Sequence, residues 1–117
     1  MRLVSLLQKQ VESHAQTICE QRNKNVPAEL GKATFEETAH GVVFIKQHFL
    51  LDSSHCDYML PVAMVVWDEK LSCWLLSMPD EGKQGQWVPY PYLAQSADLT
   101  ALMREVDKDP KRLFWQT

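Results

Sequence analysis

A chain of 117 residues, 45% apolar and 23% charged, has the composition of one globular domain and is not a disordered tail. Folding at this size removes roughly two-thirds of the chain's surface from water, so a core can form without disulfides or a metal. Twelve basic against fifteen acidic side chains, a net charge of −3, exclude a general attraction for phosphate backbones or anionic lipid.

The first residues hold one positive charge, Arg2, and the short apolar run Leu3, Val4, Leu6 and Leu7 around Ser5. That run is too brief for a signal-peptide core. No stretch approaches the roughly 18 apolar residues that span a bilayer. Cys19, Cys56 and Cys73 are odd in number and widely spaced, which fits reduced thiols in a cytoplasm better than a disulfide framework.

From Leu3 to about Arg22, apolar residues at Leu3, Leu7, Val11, His14 or Ala15, and Ile18 recur at helical spacing and predict an amphipathic helix. Val26-Pro27 ends it, since a residue before proline is pushed out of helical dihedrals. After Lys32 the period falls to two. Ala33–Ala39 and Val42–Leu51 predict antiparallel strands joined at His40-Gly41, with Gly41 supplying the positive φ of a tight turn. In the second strand Val43, Ile45, Phe49 and Leu51 share the expected buried face, opposite Lys46 and His48.

Asp52–Asp57 reads as a polar loop. Val62–Trp67 is almost continuously apolar and predicts a central strand covered on both faces, with Pro61 at its start. Asp68, Glu69 and Lys70 turn the chain into a fourth strand, Leu71–Met78. In Trp87–Tyr92 the alternate prolines Pro89 and Pro91 both lack a donor along the same side, which predicts an edge strand that cannot pair further. Ser96 caps a last helix with Asp98 in its first turn and Leu99, Leu102, Met103 and Val106 as its buried stripe. Asp109-Pro110 ends that helix, and Leu113, Phe114 and Trp115 are apolar enough to dock on the body. The order predicts one α+β domain over residues 1–117: an N-terminal helix, a four- to five-stranded antiparallel meander sheet, and a C-terminal helix packed on the sheet.

Residues 60 to 115 carry an ordered set: Pro61-Val62-Ala63 opening a strand, Trp74, Trp87-Val88-Pro89-Tyr90-Pro91 after a Gly loop, Leu99 and Leu102, then Asp107, Asp109, Pro110, Phe114 and Trp115. With it the chain resembles the bacterial domain of unknown function family 3024. The resemblance implies a bacterial cytoplasmic setting and offers no catalytic residues.

Chemistry is thin. Zinc needs three or four converging ligands, normally in short-spaced pairs, and the sequence has no CxxC, HxxxH or HExxH. His40 and His48 would lie roughly 26 Å apart in an extended strand. His55-Cys56, flanked by Asp52 and Asp57, is the one dense cluster, but adjacent side chains in an extended segment point apart. No GxSxG elbow is present. Asp68-Glu69 and Asp80-Glu81 fit turns. Glu105, Asp107 and Asp109 crowd a helix C-terminus, where negative charge is unfavourable; hydrogen bonds from the amides of a docking C-terminal segment would explain them.

The helix–strands–helix order is loosely similar to double-stranded RNA-binding domains, which place basic residues where this chain has Ser96-Ala97-Asp98. The first 50 residues carry six basic and five acidic groups, the rest six and ten, so neither half is a basic face. Trp87, Tyr90 and Tyr92, near the edge strand, are the candidate binding residues, since Trp and Tyr are enriched where proteins bind proteins. The sequence leans away from an enzyme, with no catalytic residues, metal ligands or cofactor expected. It points to a small cytoplasmic domain that binds a partner protein or a second copy of itself. The alternatives are a metal-dependent hydrolase built around residues 52–57 and a weak nucleic-acid-binding module.

Overall fold

A computed structural model describes residues 2–24, 32–49, 56–80, 82–83 and 85–115, and the side chains within them except at 2–5, 48–49 and 56–58. Helix α1 covers Arg2–Lys24 and is followed by strands β1 (Lys32–Glu37), β2 (Gly41–Phe49), β3 (Cys56–Asp68), β4 (Cys73–Pro79), β5 (Trp87–Pro89) and β6 (Gln95–Ser96), then helix α2 (Leu99–Lys108). All pairings are antiparallel, in the order β1-β2-β3-β4-β5, and β6 pairs with β4 beyond β5. The α+β meander predicted from the sequence is the observed fold, with β6 as an added sixth strand.

Both helices lie on one face of the sheet. The stripe Val11, Ala15, Ile18 and Cys19 of α1 and the stripe Leu99, Leu102, Met103 and Val106 of α2 join Ala33, Val42, Phe44, Ala63, Val65, Trp74 and Leu76 in one core. The helical period selects Ala15, with no exposure, and leaves His14 on the shoulder. Arg22 and Lys24 close the last turn of α1, where a cation suits the helix dipole. Asn23 then pairs twice with Ala33, donating to its carbonyl at 2.9 Å and accepting from its amide at 2.7 Å. These are groups of the sheet-edge strand, so the helix end blunts the edge.

The face of β2 differs from the expected one. Val42 and Phe44 point to the helix-side core and Val43 and Ile45 to the opposite side, where Ile45 is still buried at 5% exposure and Val43 is partly exposed, because four consecutive apolar residues leave the phase of the alternation unset and packing on α1 decides it. Leu51 and the side chains of His48 and Phe49 lie outside what the structure describes. Gly41 has no positive φ. It is needed for a different reason: a Cβ there would sit 1.9 Å from the Val65 carbonyl oxygen of the paired strand.

Strand β3 begins at Cys56, six residues before the expected start, which places Pro61 within a strand. A bulge makes room for it. Phe44 pairs with Ala63 but Ile45 with Pro61, so Val62 is the extra residue. Strand β4 pairs with β3 only from Met64 to Asp68, so the missing Pro61 donor faces an edge that has no partner among the pairings. Strand β4 starts at Cys73, since Leu71 and Ser72 remain in the turn and Ser72 has φ 50°.

The edge segment is strand only from Trp87 to Pro89. Tyr90 donates its amide to the Leu76 carbonyl at 2.9 Å, so the flanking prolines present their donorless sides outward. Asp98, not Ser96, caps α2: its backbone is extended and its carboxylate accepts from the Thr100 amide at 3.0 Å, while the Ser96 hydroxyl accepts from the Asp98 amide.

Candidate functional site

Residues directly opposite in an antiparallel ladder share a face, so the registers define the side of the sheet away from the helices. One row runs Thr34, Ile45, Pro61; the next runs Glu36, Val43, Met64, Ser77, Pro89; a third runs Val66, Leu75, Gln95. Met59 and Trp87 lie on the same side, opposite Gln47 and Pro79. The centre is therefore apolar and the margin polar. None of these residues belongs to the helix-side core cluster and no described helix packs over them, although Ile45 is only 5% exposed. Met59 is 50% exposed, and Val43, Met64, Val66, Leu75 and Trp87 are partly exposed. Val62–Trp67, read as covered on both faces, is covered by described helices on one: Val65 is fully buried, while Met64 and Val66 on the other side are partly exposed.

The three aromatic candidates go to three environments. Trp87 lies on the open face. Tyr90 has no exposure; its ring packs on Phe114 at 4.8 Å and its hydroxyl donates to Glu105 Oε2 at 3.0 Å. Burial and that hydrogen bond push the phenol well above its ordinary value. Tyr92 is 59% exposed, edge-on to Tyr90 at 5.5 Å with the Lys111 ammonium 4.9 Å from its ring centre. Tyr90 and Tyr92 meet each other on the side of the C-terminal segment, and among the described residues no ring-to-ring contact joins them to Trp87.

The helix side is shut by a clasp. Asp109 ends α2 in the left-handed conformation at φ 46°, its amide donating to the Glu105 carbonyl. Its carboxylate accepts from the amides of Leu113, Phe114 and Trp115 at 2.9 to 3.3 Å. This is the role the sequence suggested for acid at the helix end. Trp115 donates its indole N–H to the Val106 carbonyl at 2.8 Å, and its own carbonyl accepts from Lys46 Nζ at 2.7 Å. The Arg22 guanidinium lies 4.4 Å from the Trp115 ring centre and donates to the Asp107 carbonyl at 2.7 Å. Burial lowers the pKa of both Lys46 and Arg22, with Asp107 and Asp109 opposing the shift at Arg22 and Arg22 adding to it at Lys46. The clasp uses the charges of Asp109, Lys46 and Arg22 to hold backbone.

A groove of about 590 Å³ runs between α1 and the start of α2, floored by Trp67 and Trp74 in edge-to-face contact at 5.3 Å. A smaller hollow of about 290 Å³ opens where β4 leaves β3, between Leu60, Pro61, Met78 and Leu113. The groove's lining includes Ser13, His14 and Asp98, but among the described residues no hydrogen bond links these side chains to one another, and the Asp98 carboxylate is engaged in capping α2; the hollow is lined by apolar residues. Among the described residues no three His, Cys, Asp or Glu side chains come together as metal ligands. His55 lies outside the described residues, as does the side chain of Cys56. Buried Cys19 has its thiol pushed up to about 12, by burial foremost, which suppresses the nucleophilic thiolate.

Sequence reasoning reached Trp87 but missed the open face as a whole. The signal was present in Val42–Ile45 and Val62–Trp67, apolar on both sides of strands for which the chain supplies helices on one side.

Among the described residues no helix is long and apolar enough to cross a membrane. No curated protein and no solved structure matches the chain. The family model of the domain of unknown function DUF3024 matches residues 3–116, so the likeness read from the second half extends through α1 and the first strands, and the protein belongs to that family.

Proposed function

We propose that the protein is a non-catalytic binding domain of the cytoplasm that associates with protein through the helix-free face of its sheet. The observation that carries this reading is the patch centred on Val43, Met64, Val66 and Leu75, apolar at its middle and ringed by Glu36, Gln47 and Gln95. That distribution is the anatomy of a protein interface, with an apolar centre and a polar rim. Partly exposed apolar side chains grouped on one sheet face support an interaction site. Trp87 extends the patch at the β5 edge, where a large ring provides contact area at little entropic cost. Cys19 and Cys73, both free and buried, suit a reducing compartment.

The test places a photo-crosslinking amino acid at Leu75 on the open face and, as a control, at Arg104 on exposed α2. Irradiation of the full chain in a bacterial cytoplasm is expected to give intermolecular protein adducts from position 75 and few from position 104. Equal yields from both positions, or none from position 75, overturn the reading.

A further inference from the structure

We propose that the hollow where β4 leaves β3 binds a small, flat, apolar ring that carries an N–H donor and no acceptor, indole being the type. The site is separate from the patch centred on Val66 and Leu75 and goes beyond the protein binding proposed for that face.

Size and lining set the body of the ligand. The hollow holds about 290 Å³, and none of its seven lining residues has a charged or hydrogen-bonding side chain. A cavity of about 150 Å³ among apolar side chains holds benzene, so this one takes a two-ring system. Leu60 at the rim is 38% exposed, so the hollow opens to solvent there.

The main chain sets the polar chemistry, because every backbone donor of the lining is missing or spent. Pro61 and Pro79 have no N–H, and strand alternation turns the backbone of both toward the gap. Leu76 and Asp80 make their bonds on the side of β5 and β6, so Pro79 between them faces β3. Gly41 turns its carbonyl to Thr38, so Lys46 turns to β3, Leu60 turns back to Lys46, and Pro61 faces the gap. The Met78 amide follows Leu76 toward β5. Val62 shares the bulge with Ala63; both are buried in the core and set against Phe44, so the Val62 amide turns to β2. Leu113 and Phe114 donate to the Asp109 carboxylate.

The carbonyl oxygens of Pro61 and Pro79 remain, on opposite banks of the gap. The β3–β4 pairing stops at Met64 and Ser77, and among the described residues no backbone bond outside the ladders reaches either oxygen. An apolar hollow with acceptors and no donor favours a ring that brings an N–H. It rejects a ring that brings an oxygen, whose lone pairs would lie unpaired against a carbonyl. The two prolines both stop β4 from pairing further along β3 and keep the space free of donors.

The experiment records ¹H–¹⁵N correlation spectra of the full chain during titration with indole, benzofuran and the tripeptide Gly-Trp-Gly. Indole is expected to move the amide signals of Leu60, Met78, Leu113 and Phe114 with a Kd of about 1 mM or tighter, the range open to so small a ligand. Ser13 and Thr100, in the groove between the helices, are expected to stay unmoved. Benzofuran has the same shape with oxygen in place of the N–H, and is expected to bind about tenfold more weakly. Pro79→Ala places an N–H in the gap and is expected to narrow that ratio to about twofold. Leu60→Trp supplies an indole from the rim itself and is expected to shut free indole out while the other signals keep their folded dispersion. Equal affinity for indole and benzofuran, or a ratio that Pro79→Ala leaves unaltered, overturns the donor-selective chemistry. No binding of indole, or shifts confined to other residues, overturns the site. Gly-Trp-Gly binding more tightly than indole assigns the ring to a tryptophan of a protein; binding more weakly assigns it to a free small molecule.

Discussion

Asp109 is a charged side chain only 7% exposed, and it stays buried because three backbone amides converge on it. It also takes a left-handed conformation that asparagine and glycine tolerate better than alanine. Asp109→Ala removes the acceptor and adds strain, and is expected to destabilise by about 3 kcal/mol in urea unfolding, since bonds to a charged group are each worth about 1.5–3 kcal/mol and do not add fully. Asp109→Asn keeps the conformation and one good acceptor, and is expected to lose less. Cys19 gives a pH dependence. Its thiol is raised from the ordinary 9.0 to about 12, so between those values the unfolded chain has released a proton that the folded chain keeps. The unfolded state is favoured as pH rises through that window, and below pH 9 the effect is absent. Cys19→Ala is expected to flatten the fall in stability between pH 9 and pH 11 relative to wild type, measured as the urea midpoint at each pH. A parallel fall in the two proteins would contradict this.

At the scale of the elements, the join between β2 and β3 depends on backbone contact. A Cβ at Gly41 meets the Val65 carbonyl at 1.9 Å and the Val66 Cα at 2.7 Å, and neither can rotate away. Gly41→Ala is expected to cost at least about 3 kcal/mol in chemical denaturation. Gly85→Ala, with nothing within 4 Å but φ +84°, should cost closer to 1 kcal/mol. The same elements show what the sequence made legible. Both helices, the hairpins, the proline-blunted edge and the docked Phe114 and Trp115 follow from period, turn residues and the cost of leaving large rings in water. The β2 face did not follow, because Val42-Val43-Phe44-Ile45 is apolar at both phases. The Val62 bulge was hidden because Pro61 can mark the start of a strand as well as an interruption within one. Trp87 and Tyr90 parted because Tyr90, the one donor between two prolines, had to turn toward β4.

On the scale of the whole molecule, both described helices finish one side of the sheet and neither packs on the other. The helix side is closed by segments distant in sequence. Neighbouring strands meet across short turns, whereas Arg22 reaches Asp107 over 85 positions and Lys46 reaches Trp115 over 69. Contacts of such separation carry the largest loop-closure entropy. Native-state hydrogen exchange is therefore expected to give α2 amides lower protection than those of β2 and β3; equal protection would mean that the fold opens as one unit. The seam between Arg22 and Asp107 thus sets the sequence of assembly: the meander can zip locally, and the two helices become neighbours only once the sheet has shortened the path between them. Folding speed should accordingly respond little to changes in the clasp, while the lifetime of the folded state should respond strongly.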